Sequence, residues 1–582
     1  MILNLREELL QAHSEGKFLD AVFKCSLGTG DRRAEVSSEL AALHNEGLVD
    51  IVAAFEALKK DSTSQPDFFL TRHIFETALP QISAATPAVM RCVLHLVREA
   101  GQDLAAGTII ESYIRFCERS QTRPYDAVKQ IENEPAAFAV LLPSTIAAGA
   151  TFDAEHFADE AIRFCGGNSL ELRQQALISF GQCIARSGRT SISEKIFVAI
   201  EEAVAESEDD HVLAAAIIGA FSLFDHDRSN ERRTLTVIAQ ALQKGQQLAI
   251  HAGSELFGFH SNKLTRSFIE VLLPHLRRVP PENVGTIRNI DFGIAQLLKT
   301  ENASLAVSLL EELLANNPDK LMAENFPTGI NSIRADTELS AKVITRWLYN
   351  GARALCKAVH DIVEGPAQRT LLLKSDPSEL APGEPLAFLF VARKAVGYLF
   401  FNPVSAASFL ISLMHHIDDG GVLDELSSLL FNPLLLDFTG TLREYLVKTS
   451  QAEAPGVKER VEKAIQQLDE YLSNLSSVGD LPDLHPSEAQ REAYYRHFSQ
   501  QVSESFKKAQ AKSAFLNLVS RSVVLHGTRS IHYVYGQDGS SKRMDMEFRK
   551  VGTEMEVPRL SHLDPFGLDY MLRVFRVEQR IR

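Results

Sequence analysis

Two histidines and two aspartates fall within five consecutive positions of MHHIDDGG, Met414 to Gly421. Imidazole and carboxylate groups bind transition metals, and the same groups act as acid and base in hydrolysis. A working metal site needs several ligands converging from a fixed backbone, some of them from another segment. Neighbouring residues on a helix point about 100 degrees apart, so His415 and His416 do not both enter one cluster without distorting the backbone. The run Asp418-Asp419-Gly420-Gly421 matches a polar helix end with a glycine cap, and local chemistry favours that reading. Under the alternative, His415, His416 and Asp418 reach an adjoining helix to complete a metal cluster.

A second candidate is His360-Asp361 in CKAVHDIVEG. It resembles the His-Asp dipeptide of the HD-type metal phosphohydrolases, which implies a metal-dependent hydrolase. That family also needs an upstream histidine and a downstream aspartate on supporting helices. The nearest upstream histidine here is His275, a poor fit, and His226-Asp227 repeats the dipeptide elsewhere, as chance allows in a chain of this length. The Gly-x4-Gly-Lys-Ser/Thr phosphate loop is absent: Gly16-Lys17 and Gly28-Thr29-Gly30 lack the remaining positions. HExxH, GxSxG, the EF-hand loop and the dinucleotide fingerprint are absent too. The expectation is therefore a protein without a cofactor or metal, more an interaction partner than an enzyme.

Charge carries more information. The chain has 60 Lys/Arg against 75 Asp/Glu, a net charge of −15, which argues against a surface that coats nucleic acid or anionic lipid throughout. From Arg491 to Arg582, however, sixteen basic residues face ten acidic ones, a local +6 that leaves −21 on the first 490 residues. Lys507, Lys508, Lys512, Arg521, Arg529, Lys542, Arg543, Arg549 and Lys550 lie there, with Tyr533 and Tyr535 among them. Basic side chains beside aromatic ones suit a phosphate backbone and its bases. The competing reading is that this basic region docks on the acidic body or on another protein.

The elements that must position these residues read as helix after helix up to about residue 525. Apolar residues recur at three- and four-residue spacing between short Gly, Pro, Asn or Asp breaks. In PAVMRCVLHLVREAG, the residues Val89, Cys92, Val93, Leu96 and Val97 share one stripe. SLELRQQALISFGQCI (169–184) and DDHVLAAAIIGAFSLF (209–224) align without gaps at a period of 40, placing Leu172 over Val212, Ala176 over Ala216, Leu177 over Ile217, Ile178 over Ile218 and Ile184 over Phe224. QQLAIHAGSELFGFH and ENASLAVSLLEELLANN continue the pattern loosely. Over about residues 30–320 the chain resembles the HEAT/armadillo-like α-solenoid superfamily, which implies stacked helix pairs and an interaction surface. Phe-Asn-Pro occurs at 401–403 and 431–433, where Asn suits a helix cap and Pro the first turn.

The end differs. IHYVYGQDGSSKRMDMEF alternates with period two around a Gln-Asp-Gly-Ser turn, predicting a hairpin with Ile531, Tyr533 and Tyr535 on the same face as Met544, Met546 and Phe548. TEMEVPRL, with Met555 and Val557, is a candidate third strand. A terminal helix is predicted from Pro565, capped by Asp564, burying Leu568, Met571, Leu572 and Phe575 and turning Arg573, Arg576 and Arg580 away. The expected fold is mainly α: a HEAT-like array over 1–364, a second helical region over 365–485, and a basic module over 486–582 with a β-hairpin near 531–548 and a helix near 565–581.

Hydrophobic content of 45% and charged content of 23% fit a folded soluble chain. Its start carries charges where a signal peptide needs an apolar run, and its longest apolar stretches are broken or too short for a bilayer. Six scattered cysteines fit reduced, buried thiols in the cytoplasm. The expected role is a non-catalytic scaffold subunit of a multi-protein assembly, of the kind multi-gene bacterial systems use, antiviral defence included. A DNA- or RNA-binding subunit acting through the basic module is the first alternative, and a metal-dependent hydrolase the second.

Overall fold

The computed structural model describes residues 4–27, 30–60, 67–101, 103, 105–188, 192–364, 370–381, 384–479, 486–511, 519–524, 529–535, 541–547 and 556–580. Helices dominate, with one three-stranded antiparallel sheet near the C-terminus, so the chain is a helical array carrying a small α/β element. No helix among these residues is long and apolar enough to cross a membrane. The chain divides into two compact units, Met1–Ala335 and Asp336–Arg582.

In the first unit successive helices alternate between two layers. One is formed by α1 (Leu142–Ala150), α2 (Leu170–Ser187), α3 (Asp210–His226), α4 (Gln247–Phe259), α5 (Val284–Leu297) and α6 (Pro327–Ala335), each packed on the next. The helices between them, Ala154–Cys165, Ser193–Glu206, Glu231–Lys244, Arg266–Leu276 and Ala303–Asn316, form the other. The 40-residue repeat is the α2–α3 contact. Leu172 and Val212, Ala176 and Ala216, Leu177 and Ile217, and Ile184 and Phe224 are buried pairs of equivalent positions. Ile178 and Ile218, equivalent as well, are half-exposed.

Close approach in the first layer is made by glycine. A Cβ on Gly219 would stand 2.5 Å from the Leu177 carbonyl oxygen, one on Gly258 2.7 Å from that of Asn289, and one on Gly293 2.7 Å from that of Phe257. Two helix starts in this layer, those of α4 and α6, are capped by the preceding helix of the same layer. Asp210 of α3 accepts the N–H groups of Gln246, Leu248 and Ala249 at 2.7, 2.7 and 3.2 Å. Buried Asp291 of α5 accepts those of Thr328 and Gly329 at 3.0 and 2.8 Å. Each carboxylate satisfies N–H groups that a helix start leaves unpaired and meets the positive end of its dipole. All six cysteines are buried and unpaired, and burial pushes every thiol pKa up.

In the second unit α7 (Thr337–Asn350), α8 (Pro385–Leu399), α9 (Gly420–Leu429) and α10 (Pro455–Val478) pack in succession. The two Phe-Asn-Pro copies behave differently. Pro403 opens the Pro403–Met414 helix, but Asn402 makes no side-chain cap bond. Asn432 sits at a kink, with φ −123° and ψ 113°.

Then follow α11 (Glu488–Ala511), the sheet of β1 (Val519–Val524), β2 (Arg529–Tyr535) and β3 (Ser541–Glu547) in that order, and α12 (Pro565–Val577). The third strand thus comes from β1. Glu556, Val557 and Pro558 are not in a strand, and Met555 lies outside the described residues. Register also departs from the predicted hairpin. Tyr533 pairs with Arg543, Ile531 with Asp545 and His532 with Met544, so Met544 and Met546 belong to the face opposite Ile531 and Tyr533.

The terminal helix returns to α8. Asp564 accepts the Gly567 N–H at 2.9 Å, as its capping role requires, and Leu568 and Leu572 are buried. The Arg393 guanidinium donates twice to the Glu578 carboxylate, at 2.8 and 2.6 Å. Buried Lys394 donates to the Arg576 carbonyl at 2.6 Å, and Arg576 donates to that of Gly397 at 2.6 Å. Arg580 lies 4.3 Å from the Tyr349 ring centre. Arg576 and Arg580 therefore face the helical body: their planar cations find carbonyl and aromatic partners there. Only Arg573 stays fully outward, beside Asp569.

Candidate interaction surface

The two layers of the first unit present different chemistry to their surroundings. The second layer is sewn together by ion pairs. Arg163 reaches Glu132 at 2.7 Å; Lys195 reaches Glu155 and Asp159 at 2.7 and 2.6 Å. Arg233 reaches Glu194 and Glu201 at 2.7 and 2.6 Å, and Arg277 reaches Glu312 at 2.8 Å. Exposed pairs of this kind contribute little stability each, but they leave those charges already matched. Among the described residues, the helices of that layer expose a single large apolar side chain, Val198.

The first layer differs. On α4 and α5 alone it exposes Leu248, Phe259, Val284 and Phe292, with Phe259 61% and Val284 54% exposed. Two side-chain bonds hold α4 and α5 parallel and in register: His251 Nδ1 to Thr286 Oγ1 at 2.9 Å, and Asn289 Nδ2 to Ser254 Oγ at 3.1 Å. Leu248 and Val284 then share one end of the strip, while Phe259 and Phe292 meet at the other with ring centres 6.0 Å apart. Between these ends lie Glu255, 3.5 Å from His251, and exposed Arg288, which has no charged partner among the described residues. Such a strip, apolar at both ends and charged in the middle, fits a helix lying in the groove between two others.

The histidine and aspartate candidates are spread over separate boundaries. His415 closes the Pro403–Met414 helix and lies 2.6 Å from Glu453. Asp419 is the N-cap of α9, accepting the N–H groups of Gly421 and Val422 at 2.8 and 3.1 Å. Gly420 and Gly421 thus open the next helix instead of capping the previous one. Burial lowers the pKa of His416, with the neighbouring His415 charge adding to the effect. His360 faces Asp361 at 3.4 Å and Glu364 at 3.7 Å. The Asp361 hydrogen bond raises its pKa. Among the described residues no group of three or more His, Cys, Asp or Glu side chains is placed to hold a metal.

Of the basic candidates, Lys507, Lys542 and Arg543 are exposed, and Arg543 donates to Asp545 at 2.9 Å. Arg521 pairs with Tyr533 across β1 and β2, and Tyr533 with Arg543 across β2 and β3, forming one basic-aromatic-basic row of the ladder. Lys508 lies on α11 and Arg529 on β2, while Lys512, Arg549, Lys550 and Phe548 lie outside the described residues. Sequence reasoning missed Leu248, Phe259, Val284, Phe292 and Arg288. The available signal was in QLAIHAGSELFGF, whose apolar residues span about 200 degrees of the helix, more than one buried stripe requires.

No family model matches the chain, and no curated protein matches it. One similar solved structure is described as a circular tandem repeat protein with novel repeat topology and enhanced subunit contact surfaces. It is 15% identical, with 81% of this chain and 89% of that one covered, and the TM-score is 0.14. At that score nothing about this chain follows from the likeness.

Proposed function

We propose that the chain is a non-catalytic interaction subunit of a multi-protein assembly, and that its array is of the HEAT/armadillo-like kind. The observation that carries this is the contrast between layers: one pairs many of its charges within the chain and, among the described residues, exposes Val198 alone of its large apolar side chains, whereas the other leaves Leu248, Phe259, Val284 and Phe292 uncovered around Arg288. Clustered exposed apolar groups of this sort mark interaction sites more often than bare surface. A second reading, contact with nucleic acid through the sheet, is favoured by the Arg521–Tyr533–Arg543 row.

One experiment addresses both. Tagged chain is recovered from native lysate with and without nuclease, alongside Phe259→Asp and, as a control on the other layer, Val198→Asp. The interaction reading expects a nuclease-resistant partner retained by wild type and Val198→Asp and lost by Phe259→Asp. Retention that ends with nuclease treatment, and is unaffected by Phe259→Asp, would transfer the role to the sheet.

A further inference from the structure

A second face of the same chain lacks a cover. The α12 helix docks on α8 through Leu568, Leu572 and the Arg393–Glu578 pair, and its outer side carries Phe566, Tyr570, Val574 and Val577. Phe566 is 88% exposed and Tyr570 71%, far more than a lone surface apolar residue needs. Asp569 and Arg573 border this stripe and pair with each other at 2.9 Å, an exposed contact cheap to exchange for another.

The two uncovered faces match in spacing and in charge order. Phe566, Asp569, Arg573 and Val577 follow the same steps of three, four and four residues as Leu248, His251, Glu255 and Phe259 on α4. Phe566, Tyr570 and Val574 follow the steps of Val284, Arg288 and Phe292 on α5. Laid parallel to α4 and α5, α12 places Phe566 between Leu248 and Val284, and Val577 over Phe259. Asp569 then meets His251, Arg573 meets Glu255, and the Tyr570 ring meets the unmatched Arg288 guanidinium. Asp569, Arg573 and Arg288 then meet an imidazole, an opposite charge and an aromatic ring, respectively.

We infer that the α4–α5 strip of one molecule receives the outer face of α12 from a second copy of the same chain. This rests on the reading of that strip as a binding surface and names its occupant. The two patches differ, so the contact is heterologous: after one contact each molecule still has one free patch, an α12 face on one and a strip on the other, and association continues into a ring or an open chain. One helix across two covers less than the about 800 Å² per partner of a standard interface, so affinity in the micromolar range is expected.

The test is sedimentation velocity of the full chain in low salt over about 2–200 µM, a range that brackets such an affinity. Wild type is expected to grow in mean sedimentation coefficient with concentration. Glu255→Arg and Arg573→Glu should each weaken association about tenfold or more, and the two changes combined in one chain should restore it. Circular dichroism melts confirm that each variant folds, and Phe566→Ala checks the apolar end independently. A wild type monomeric throughout overturns the inference, as does a double variant no better than its parents. So does association that Phe259→Asp abolishes and Phe566→Ala leaves intact, because the strip would then meet a different surface. If the chain is monomeric while Phe259→Asp still loses a lysate partner, the proposed function stands and only the occupant is wrong.

Discussion

Asp437 shows what a single buried carboxylate does in this chain. It is fully buried; its Oδ1 accepts the Leu560 N–H at 2.7 Å, its carbonyl accepts the Arg559 N–H at 3.3 Å, and its Oδ2 has no partner. Burial outweighs the help of the Leu560 bond and the Arg559 charge and pushes its pKa from 3.8 up to about 6. The folded state therefore holds this proton more tightly than the unfolded state. The contribution to stability is complete below about pH 4 and is lost as pH rises through about 6. Thermal melts between pH 4 and 7.5 should show wild type losing on the order of 2–3 kcal/mol relative to Asp437→Asn across that window; parallel curves would contradict the burial argument. Residues of this kind are hard to read from sequence, because their partners are remote. MHHIDDGG was legible as a helix boundary, since polar residues and glycines mark one locally. That Asp419 caps the following helix and that His415 meets Glu453 depends on packing that local pattern does not encode.

At the scale of elements, glycine has opposite meanings in two helices. An alanine at Gly219 would drive its Cβ to 2.5 Å from the Leu177 carbonyl oxygen, whereas Gly456 near the start of α10 has nothing within 4 Å. Gly219→Ala should destabilise by about 1–3 kcal/mol through overpacking. Gly456→Ala should be neutral or stabilise by up to about 1 kcal/mol through helix propensity. Chemical denaturation of both reads the signs, and a stabilising Gly219→Ala would refute the close approach of α2 and α3. The 40-residue period and the small residues within it were visible because helix stacking imposes both. The hairpin faces were misassigned for a simple reason. Five residues separate β2 from β3, so odd-numbered residues face odd-numbered ones; a shift of one would move every side chain to the other face. Alternation reveals that a strand exists and not which face meets which.

For the whole molecule, a helical body and a distinct C-terminal α/β element were legible from periodicity alone, because a period of three to four and a period of two cannot be confused over long segments. The binding face was not. An apolar residue at Leu248 or Phe259 looks like core until neighbouring helices are in place, and only the packed layers show that it has none above it. Nor could composition show that the C-terminal helix returns to α8, since the Lys394 and Gly397 contacts join residues about 180 positions apart. The most direct measurement is site-specific photo-crosslinking, with a benzophenone amino acid placed at Phe259 in one chain and at Val198 in another, irradiated in native lysate. Position 259 should yield a discrete covalent adduct to another polypeptide, whether a second copy or a different protein, and position 198 should yield none. Adducts at 198 with none at 259 would contradict the assignment of the uncovered α4–α5 strip as the surface through which this protein works.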